Sequence, residues 1–113
     1  MTRKIEDAMV RSVRERVQWA SGNTQVQIQS DGRADVYLHG NHIASRDHHG
    51  LRWTLAGWNT VTTRSRINAL ARAFGGYCVS SKNSQAYAGD QAGTITTISD
   101  SEWIISRHDG ELK

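Results

Sequence analysis

Several features that define other protein classes are missing from this 113-residue sequence. It has no proline and an ordinary share of glycine, so it is neither a linker nor a low-complexity tail. Cys78 is the only cysteine, which rules out a disulfide within one chain and fits a reducing compartment. No apolar run approaches the ~20 residues of a membrane span, and the first residues lack the apolar core of a signal peptide. We therefore expect a single domain over residues 1–113, cytoplasmic and without membrane contact.

Acidic residues are also absent from a long central stretch. Residues 48–89 contain no Asp or Glu, although the whole chain carries 11 acids against 14 Lys and Arg. Five cations lie in this stretch: Arg52, Arg64, Arg66, Arg72 and Lys82. Such an uneven distribution, within a net charge of only +3, is typical of a protein that binds a polyanion. The alternative is that acids from the flanking segments fold over this stretch and neutralise it.

Apolar periodicity predicts two helices. The first is indicated by apolar residues at every fourth position, namely Ile5, Met9, Val13 and Val17. We expect it to continue until the "SGN" at residues 21–23. The second helix is predicted at about residues 63–74, and Gly75 and Gly76 should end it.

Alternating apolar and polar residues predict strands and hairpins in the remainder. "TQVQIQ" and "ADVYLH" flank the turn "SDGR", and "YCVSS" and "AYAG" flank "KNSQ". "LRWTL" reads as a further strand with Trp53 on its apolar face, and Trp103 is expected in the core. "TITTIS" and "EWIIS" suggest two last strands, although "DSE" between them could instead cap a short helix. The prediction is an α+β fold in which two helices pack on a mostly antiparallel sheet of hairpins.

The start of the second helix combines hydroxyls with positive charges. Thr62 or Thr63 is expected to be the N-cap, and Arg64 and Arg66 fall in the first turn. The helix dipole disfavours cations there, and a sequence selected only for stability would carry Asp or Glu. Hydroxyls, free amides and guanidinium groups together form a phosphate site. The alternative is that one of these arginines pairs with an acid of the C-terminal tail.

Aromatic residues near these cations favour single-stranded nucleic acid over duplex. Trp58 precedes the helix and Tyr77 follows it, with Tyr37 as a further candidate, and bases stack on such rings. Asn68 can add hydrogen bonds beside the threonines. A duplex reader would instead need an exposed recognition helix.

The same stretch carries a family resemblance over about residues 50–90. Its box has the form G-W-x-T-x-T-T-x-x-R-[I/L]-N, matched here by Gly57, Trp58, Thr60, Thr62, Thr63, Arg66, Ile67 and Asn68, with Tyr77 and Tyr87 in the following hairpin. The box resembles a group of small proteins common in tailed-phage genomes, which implies a phage origin. The chain is also similar to the small single-stranded-DNA-binding transcription cofactors of podophages that use their own RNA polymerases. That second resemblance implies a homo-oligomer with single-stranded DNA as its ligand.

Catalytic and metal-binding signatures are weak. His39 and His42 have a suitable gap, but they span a turn, and His48 and His49 are adjacent, so solvated loop histidines are the better interpretation. Cys78 reads as a small buried strand residue and not as a nucleophile. A nuclease would need clustered carboxylates, which the basic stretch lacks. We expect no enzymatic activity, no metal and no cofactor.

These patterns lead to one functional hypothesis and one alternative. The hypothesis is a phage-encoded protein that binds single-stranded DNA, or RNA, as a homo-oligomer and serves transcription or replication, with a phage or host RNA polymerase as a further partner. The alternative is an interaction protein that binds and modulates a host or phage enzyme. The predicted nucleic-acid-binding residues are Arg52, Trp58, Thr62, Thr63, Arg64, Arg66, Asn68, Arg72, Tyr77 and Lys82.

Overall fold

Two helices and two antiparallel sheets make up the fold. The computed structural model describes residues 2–89 and 93–107. The helices are α1 (Thr2–Glu15) and α2 (Val61–Phe74). The strands, in chain order, are β1 (Trp19–Ser21), β2 (Thr24–Ile28), β3 (Ala34–Leu38), β4 (Asn41–Asp47), β5 (Gly50–Trp53), β6 (Cys78–Lys82), β7 (Gln85–Gly89), β8 (Ile95–Ile98) and β9 (Ile104–Arg107). The larger sheet has the order β1-β2-β3-β4-β5-β9, and the smaller has the order β6-β7-β8. The predicted α+β class is confirmed.

The helix α1 ends earlier than its apolar period predicts. Met9 and Val13 are buried in the core, as expected for an amphipathic helix. Arg16 then adopts a left-handed conformation with φ 57°, and the amide of Val17 donates back to the carbonyl of Ser12 at 3.1 Å. This C-terminal motif stops the helix, and Val17 is left 55% exposed. The predicted extension to residues 21–23 is therefore wrong, because β1 and its turn occupy those residues.

The six-stranded sheet buries one face against the helices. Val26 pairs with Val36, which pairs with Ala44, so these side chains share the helix-side face. Leu51 and the expected core residue Trp53 continue this face on β5, and both are buried. The pairing of β3 with β4 shifts register between Val36 and Tyr37, as in a β-bulge.

The helix α2 joins the two sheets. Ile67 and Leu70 are buried, as the predicted apolar stripe requires. On another side of the helix, the amide of Asn68 donates to the carbonyl of Val79 at 2.9 Å and accepts from its N–H at 2.7 Å. The indole of Trp53 donates to the carbonyl of Tyr77 at 2.9 Å. These bonds fix β6 against the helix.

Two burial predictions are wrong. Cys78 is exposed, because its neighbour Val79 is the residue of β6 that faces the core. Trp103 is 40% exposed, because Ile104 occupies the inward position and alternation places Trp103 on the opposite face. The two tail strands, β8 and β9, form as predicted. Within residues 2–89 and 93–107, neither helix has the length and apolarity to cross a membrane.

Candidate nucleic-acid interface

The start of α2 is capped two to three residues earlier than predicted. Thr60 is the N-cap, in an extended conformation with φ −113° and ψ 161°, and its hydroxyl oxygen accepts from the amide of Thr63 at 3.2 Å. The hydroxyl of Thr63 is buried and lies 2.9 Å from that of Thr60. The expectation that Thr62 or Thr63 caps the helix is therefore wrong. Thr63 is used internally, and Thr62 is half-buried.

Arg66 is a core residue of this protein. Its side chain is only 2% exposed, and its Nη1 lies 3.0 Å from Glu6 Oε2 on α1. Its Nε donates to the hydroxyl of Thr24 on β2 at 3.0 Å, so the guanidinium links both helices to the sheet. In this position Arg66 cannot reach a phosphate in solvent. The neutralising acid comes from a flanking segment, as the alternative holds, but from α1 and not from the tail.

Arg64 and Asn68 are also held by the fold. Arg64 Nη1 donates to the side-chain oxygen of Asn59, whose amide donates in turn to the hydroxyl of Ser81 at 3.1 Å. This chain of hydrogen bonds ties the start of α2 to β6. The side-chain amide of Asn68 forms two hydrogen bonds with the backbone of Val79. Neither side chain is directed at an external ligand.

The other predicted site residues lie apart from one another. Trp58 is 57% exposed beside a cleft of about 450 Å³ at the start of α2. Arg72 lies near the other end of this 14-residue helix, roughly 16 Å away at 1.5 Å per residue. Lys82 ends β6 on the smaller sheet, and Arg52 faces away from the helices. Tyr77 is half-buried before β6. The ten predicted residues therefore do not form one surface.

A different set of cations does come together. We call it the arginine surface, and it consists of Arg11, Arg14, Arg16, Arg46 and Arg72. Three of its members line a groove of about 700 Å³ between α1 and α2, namely Arg11, Arg14 and Arg72. Glu6 and Asp7 line the same groove one to two turns earlier on α1, and Glu6 is already paired with Arg66. The groove is thus cationic at the end where Arg14 and Arg72 lie.

Beside the groove, two members of the arginine surface lie against the ring of Phe74. The guanidinium carbon of Arg46 lies 4.2 Å from the ring centroid of Phe74, and that of Arg14 lies 5.5 Å from it. Burial lowers the pKa of Arg46, and the positive charges of Arg16 and Arg14 lower it further, against an opposing contribution from Asp47. The Nε of Arg46 is buried and has no hydrogen-bond partner among the described residues. This arrangement raises the free energy of the protein alone, and an anion would relieve it.

The arginine surface has no acidic partners where the structure is described. Across residues 2–89 and 93–107, none of its five arginines lies in an ion pair, whereas Arg33 and Arg66 do. The sequence prediction included Arg72 and missed Arg11, Arg14, Arg16 and Arg46. The first 20 residues hold five Lys and Arg against three acids, which was a weak signal, and nothing in the sequence places Arg46 beside Phe74.

The opposite face of the six-stranded sheet carries polar and aromatic side chains. We call it the outer face, and its register places Asp35 beside Ser45, and Ser45 beside Arg52. Asp35 is buried, and it accepts from Ser45 Oγ at 2.6 Å and from Arg33 Nε at 3.0 Å. Burial alone would raise the pKa of Asp35, but the hydrogen bonds from Ser45 and Arg33 and the nearby positive charge hold it below the ordinary value.

Three rings adjoin this polar network. His42 Nε2 lies 2.7 Å from Ser45 Oγ, and the His42 ring stacks on Tyr37 with centroids 5.1 Å apart. Trp103 meets His42 edge-on at 5.0 Å, and Arg52 lies 5.6 Å from the Trp103 ring. A cleft of about 290 Å³ beside them is lined by Ser45, Asp47, His49, Gly50, Leu51, Arg52 and Ile105.

The arginine surface and the outer face are connected around the end of the sheet. A hollow of about 170 Å³ lies there, lined by Arg16, Asp31, Gly32, Arg33, Asp47 and His48. Arg16 belongs to the arginine surface, and Asp47 also lines the cleft of the outer face. Arg16 therefore lies beside a depression that adjoins, at Asp47, the cleft of the outer face. Within the described ranges, no group of three or more His, Cys, Asp or Glu side chains could hold a metal ion.

A family model described as "Kyanoviridae Gp96 protein" matches residues 2–108, which is nearly the whole chain. No match to the chain was found among curated proteins or among solved structures.

Proposed function

We propose that this chain, which belongs to the Kyanoviridae Gp96 family of phage proteins, is a non-enzymatic protein that binds single-stranded nucleic acid. The observation that carries the proposal is the arginine surface, where Arg14 and Arg46 lie against Phe74 and Arg16 adds a like charge near Arg46, without an ion pair among the described residues. Like charges held close together cost free energy unless an anion neutralises them. A polyanion with regularly spaced charges fits such a surface.

Arginine chemistry favours phosphate as the group bound. The planar guanidinium presents paired N–H donors that match two phosphate oxygens, and it keeps its charge at every physiological pH. Each phosphate that an arginine neutralises releases a condensed counterion, so binding weakens steeply as salt rises. The groove lined by Arg11, Arg14 and Arg72 extends the contact along α1 and α2.

The course of the depressions favours a single strand. One is the groove between the helices, and a separate hollow at Arg16 adjoins, at Asp47, the cleft on the opposite face of the sheet. A duplex with a persistence length of about 50 nm resists such a turn, whereas a single strand follows it easily. The helix α2 is also a poor duplex reader, because Ile67 and Leu70 face the core and Asn68 is bound to β6. DNA is the ligand we propose first, and RNA would meet the same phosphate contacts.

The proposal extends to the biological setting. We propose that the protein acts in the cytoplasm of the infected cell, as a homo-oligomer, in transcription or replication. One chain offers a short binding path, and several copies on one strand would raise the overall affinity without new contacts.

Removal of charge from the arginine surface tests this function. Fluorescence anisotropy with labelled single-stranded DNA, single-stranded RNA and duplex DNA of equal length, across a salt series, gives affinity and slope. We expect the Arg14→Gln/Arg72→Gln variant to lower the affinity for single-stranded DNA at least tenfold. We also expect the log–log salt slope to fall by about 1.4, since each single-strand phosphate contact contributes about 0.7.

A matched variant distinguishes this surface from the start of α2. Arg64→Gln/Lys82→Gln removes the same number of charges from two positions outside the arginine surface, and we expect a small change in affinity. If this variant loses binding and Arg14→Gln/Arg72→Gln does not, the arginine surface is wrong. Absence of binding by the wild-type protein to all three ligands at low salt would reject nucleic-acid binding altogether.

One observation favours a second candidate function, that of an interaction protein for a host or phage enzyme such as an RNA polymerase. Trp58 and Val61 are exposed apolar side chains at the start of α2, beside a cleft whose floor includes Leu38, Ile43 and Leu55. Exposed apolar patches of this kind often contact other proteins. Co-purification of the polymerase with the wild-type chain, lost on Trp58→Ser with nucleic-acid binding unchanged, would support this candidate.

A further inference from the structure

We infer that the outer face of the six-stranded sheet is a nucleobase-binding platform, formed by the rings of Tyr37, His42 and Trp103 with Arg52 at its edge. The inference rests on the proposed function and adds the place where bases are stacked. Of the residues predicted for stacking from the sequence, the further candidate Tyr37 is part of it, and Trp58 and Tyr77 are not. The platform would make the protein distinguish a polynucleotide from other polyanions.

The rings form one continuous aromatic surface. Tyr37 and His42 stack with an angle of 26° between their planes, and Trp103 meets His42 edge-on. Trp103 is 40% exposed, so a large indole is presented to solvent. Exposed rings on a sheet are the surface on which single-stranded nucleic acid stacks its bases in several unrelated folds. Arg52, 5.6 Å from the indole, adds a cation where a phosphate or a base can be contacted.

Hydrogen bonds hold the platform in place before any ligand binds. His42 Nε2 lies 2.7 Å from Ser45 Oγ, which donates to the buried carboxylate of Asp35 at 2.6 Å. Arg33 completes the set with a bond of 3.0 Å to the same carboxylate. Because the central ring is fixed by buried partners, it supports the rings of Tyr37 and Trp103, and stacking a base on these requires less loss of side-chain freedom.

The adjoining cleft suits the edge of one base. Its volume of about 290 Å³ is at the lower end of small-ligand pockets. Ser45, Asp47, His49 and Arg52 give it both donors and acceptors, which the hydrogen-bonding edge of a base requires.

Trp103 is better placed than Trp58 to stack a base of a strand that is bound at the arginine surface. The hollow that Arg16 lines shares Asp47 with this cleft, so the two depressions adjoin. Trp58 lies at the start of α2, and the arginine surface is reached at the other end of that helix. Arg52 also lines this cleft and lies 5.6 Å from the Trp103 ring, so a strand that extends from Arg16 past Asp47 would reach the platform there.

The test compares bases with phosphates. Two ligands of equal length are used, oligo(dT) and a fully abasic oligonucleotide, which share their phosphates and differ only in the bases. We expect Trp103→Leu to lower the affinity for oligo(dT) about tenfold, as the loss of one stacking contact implies. Its affinity for the abasic ligand and its salt slope should remain those of the wild type. Tyr37→Leu should behave in the same way.

Tryptophan fluorescence gives a second readout, for which each substitution keeps an aromatic ring at the changed position. In a Trp58→Phe background, which keeps Trp103, oligo(dT) should quench the emission, and the abasic ligand should quench it much less. In a Trp103→Phe background this difference should disappear. A circular dichroism melt for each variant shows whether the fold is kept.

Failure of the platform alone is distinguishable from failure of the proposed function. If the wild type binds both ligands equally, or if Trp58→Leu and not Trp103→Leu weakens oligo(dT) binding, the platform is overturned while phosphate binding stands. If Trp103→Leu weakens both ligands to the same extent, its effect is structural and the platform is also overturned. If the wild type binds neither ligand, the proposed function and the platform fail together.

Discussion

Arg46 should make the protein less stable in the absence of ligand than an apolar residue would. Its buried Nε has no partner among the described residues, and an unsatisfied buried donor costs about 1–3 kcal/mol. The contact with the Phe74 ring at 4.2 Å offsets about 0.5–1 kcal/mol of this cost. Methionine would keep an unbranched stem against the ring and remove the charge. We therefore expect Arg46→Met to raise the free energy of unfolding by about 1 kcal/mol.

Chemical and thermal unfolding measure this change. At about 2 kcal/mol/M, the slope of urea unfolding expected for a small protein, the midpoint should rise by about 0.5 M. The midpoint temperature should rise by about 4 °C for a chain of this size. The same variant should bind single-stranded DNA more weakly, with a salt slope reduced by about 0.7. Opposite effects on stability and binding are expected only if the position serves a ligand.

A second arginine provides the control. Arg33 is paired with Asp35 at 3.0 Å, so Arg33→Met should not stabilise the protein. If Arg46→Met lowers the stability and leaves the salt slope unchanged, the guanidinium has a structural role, and the argument for an anion beside Phe74 fails.

Three further predictions follow from the site residues. Glu6→Ala should lower the free energy of unfolding by about 3–5 kcal/mol in urea titrations, because it leaves Arg66 charged and buried, and adding Arg66→Met should recover part of the loss. Thr60→Ala should cost about 1 kcal/mol and Thr62→Ala little, and equal losses in thermal melts would contradict the assignment of the N-cap. The pKa of Asp35 lies below its ordinary value of 3.8, so its contribution to stability is present above that value and is lost as pH falls through the folded pKa. Unfolding titrations from pH 7 to 2 should show a flatter acid limb for Asp35→Asn, and an unchanged limb would contradict the shift.

Local patterns were enough to predict the elements of this fold. The hairpin of β2 and β3 follows from alternation on both sides of an Asp-Gly turn, and α2 follows from the spacing of Ile67 and Leu70. The errors occurred where two local signals compete. The period of four continues to Val17, but the left-handed conformation of Arg16 ends α1 first. Thr60, Thr62 and Thr63 are all acceptable caps, and only the structure shows which one bonds to the first turn.

The candidate site could not be predicted in the same way, because its contacts are long-range. Arg66 meets Glu6 across 60 positions of sequence, and no spacing rule connects them. Asn68 likewise meets the backbone of Val79, which a list of side chains does not show. The resemblance over residues 50–90 includes Arg66 and Asn68, which hold the fold together. It therefore does not separate structural residues from residues that could contact a ligand.

The uneven distribution of charge along the sequence is a weaker guide to an anion-binding site than the environment of each cation in the structure. Residues 48–89 carry five cations and no acid, yet Arg66 is neutralised by α1, and Arg64 is bound by Asn59. Arg14, Arg16 and Arg46 come from segments that contain acids, yet none of the three lies in an ion pair in the described part of the chain, and the charges of Arg16 and Arg14 lower the pKa of Arg46. A cation that is already compensated gains little from a phosphate, whereas one crowded by like charges gains most. The arginine surface should therefore supply most of the salt-dependent affinity, and the aromatic platform should supply the part that persists at high salt.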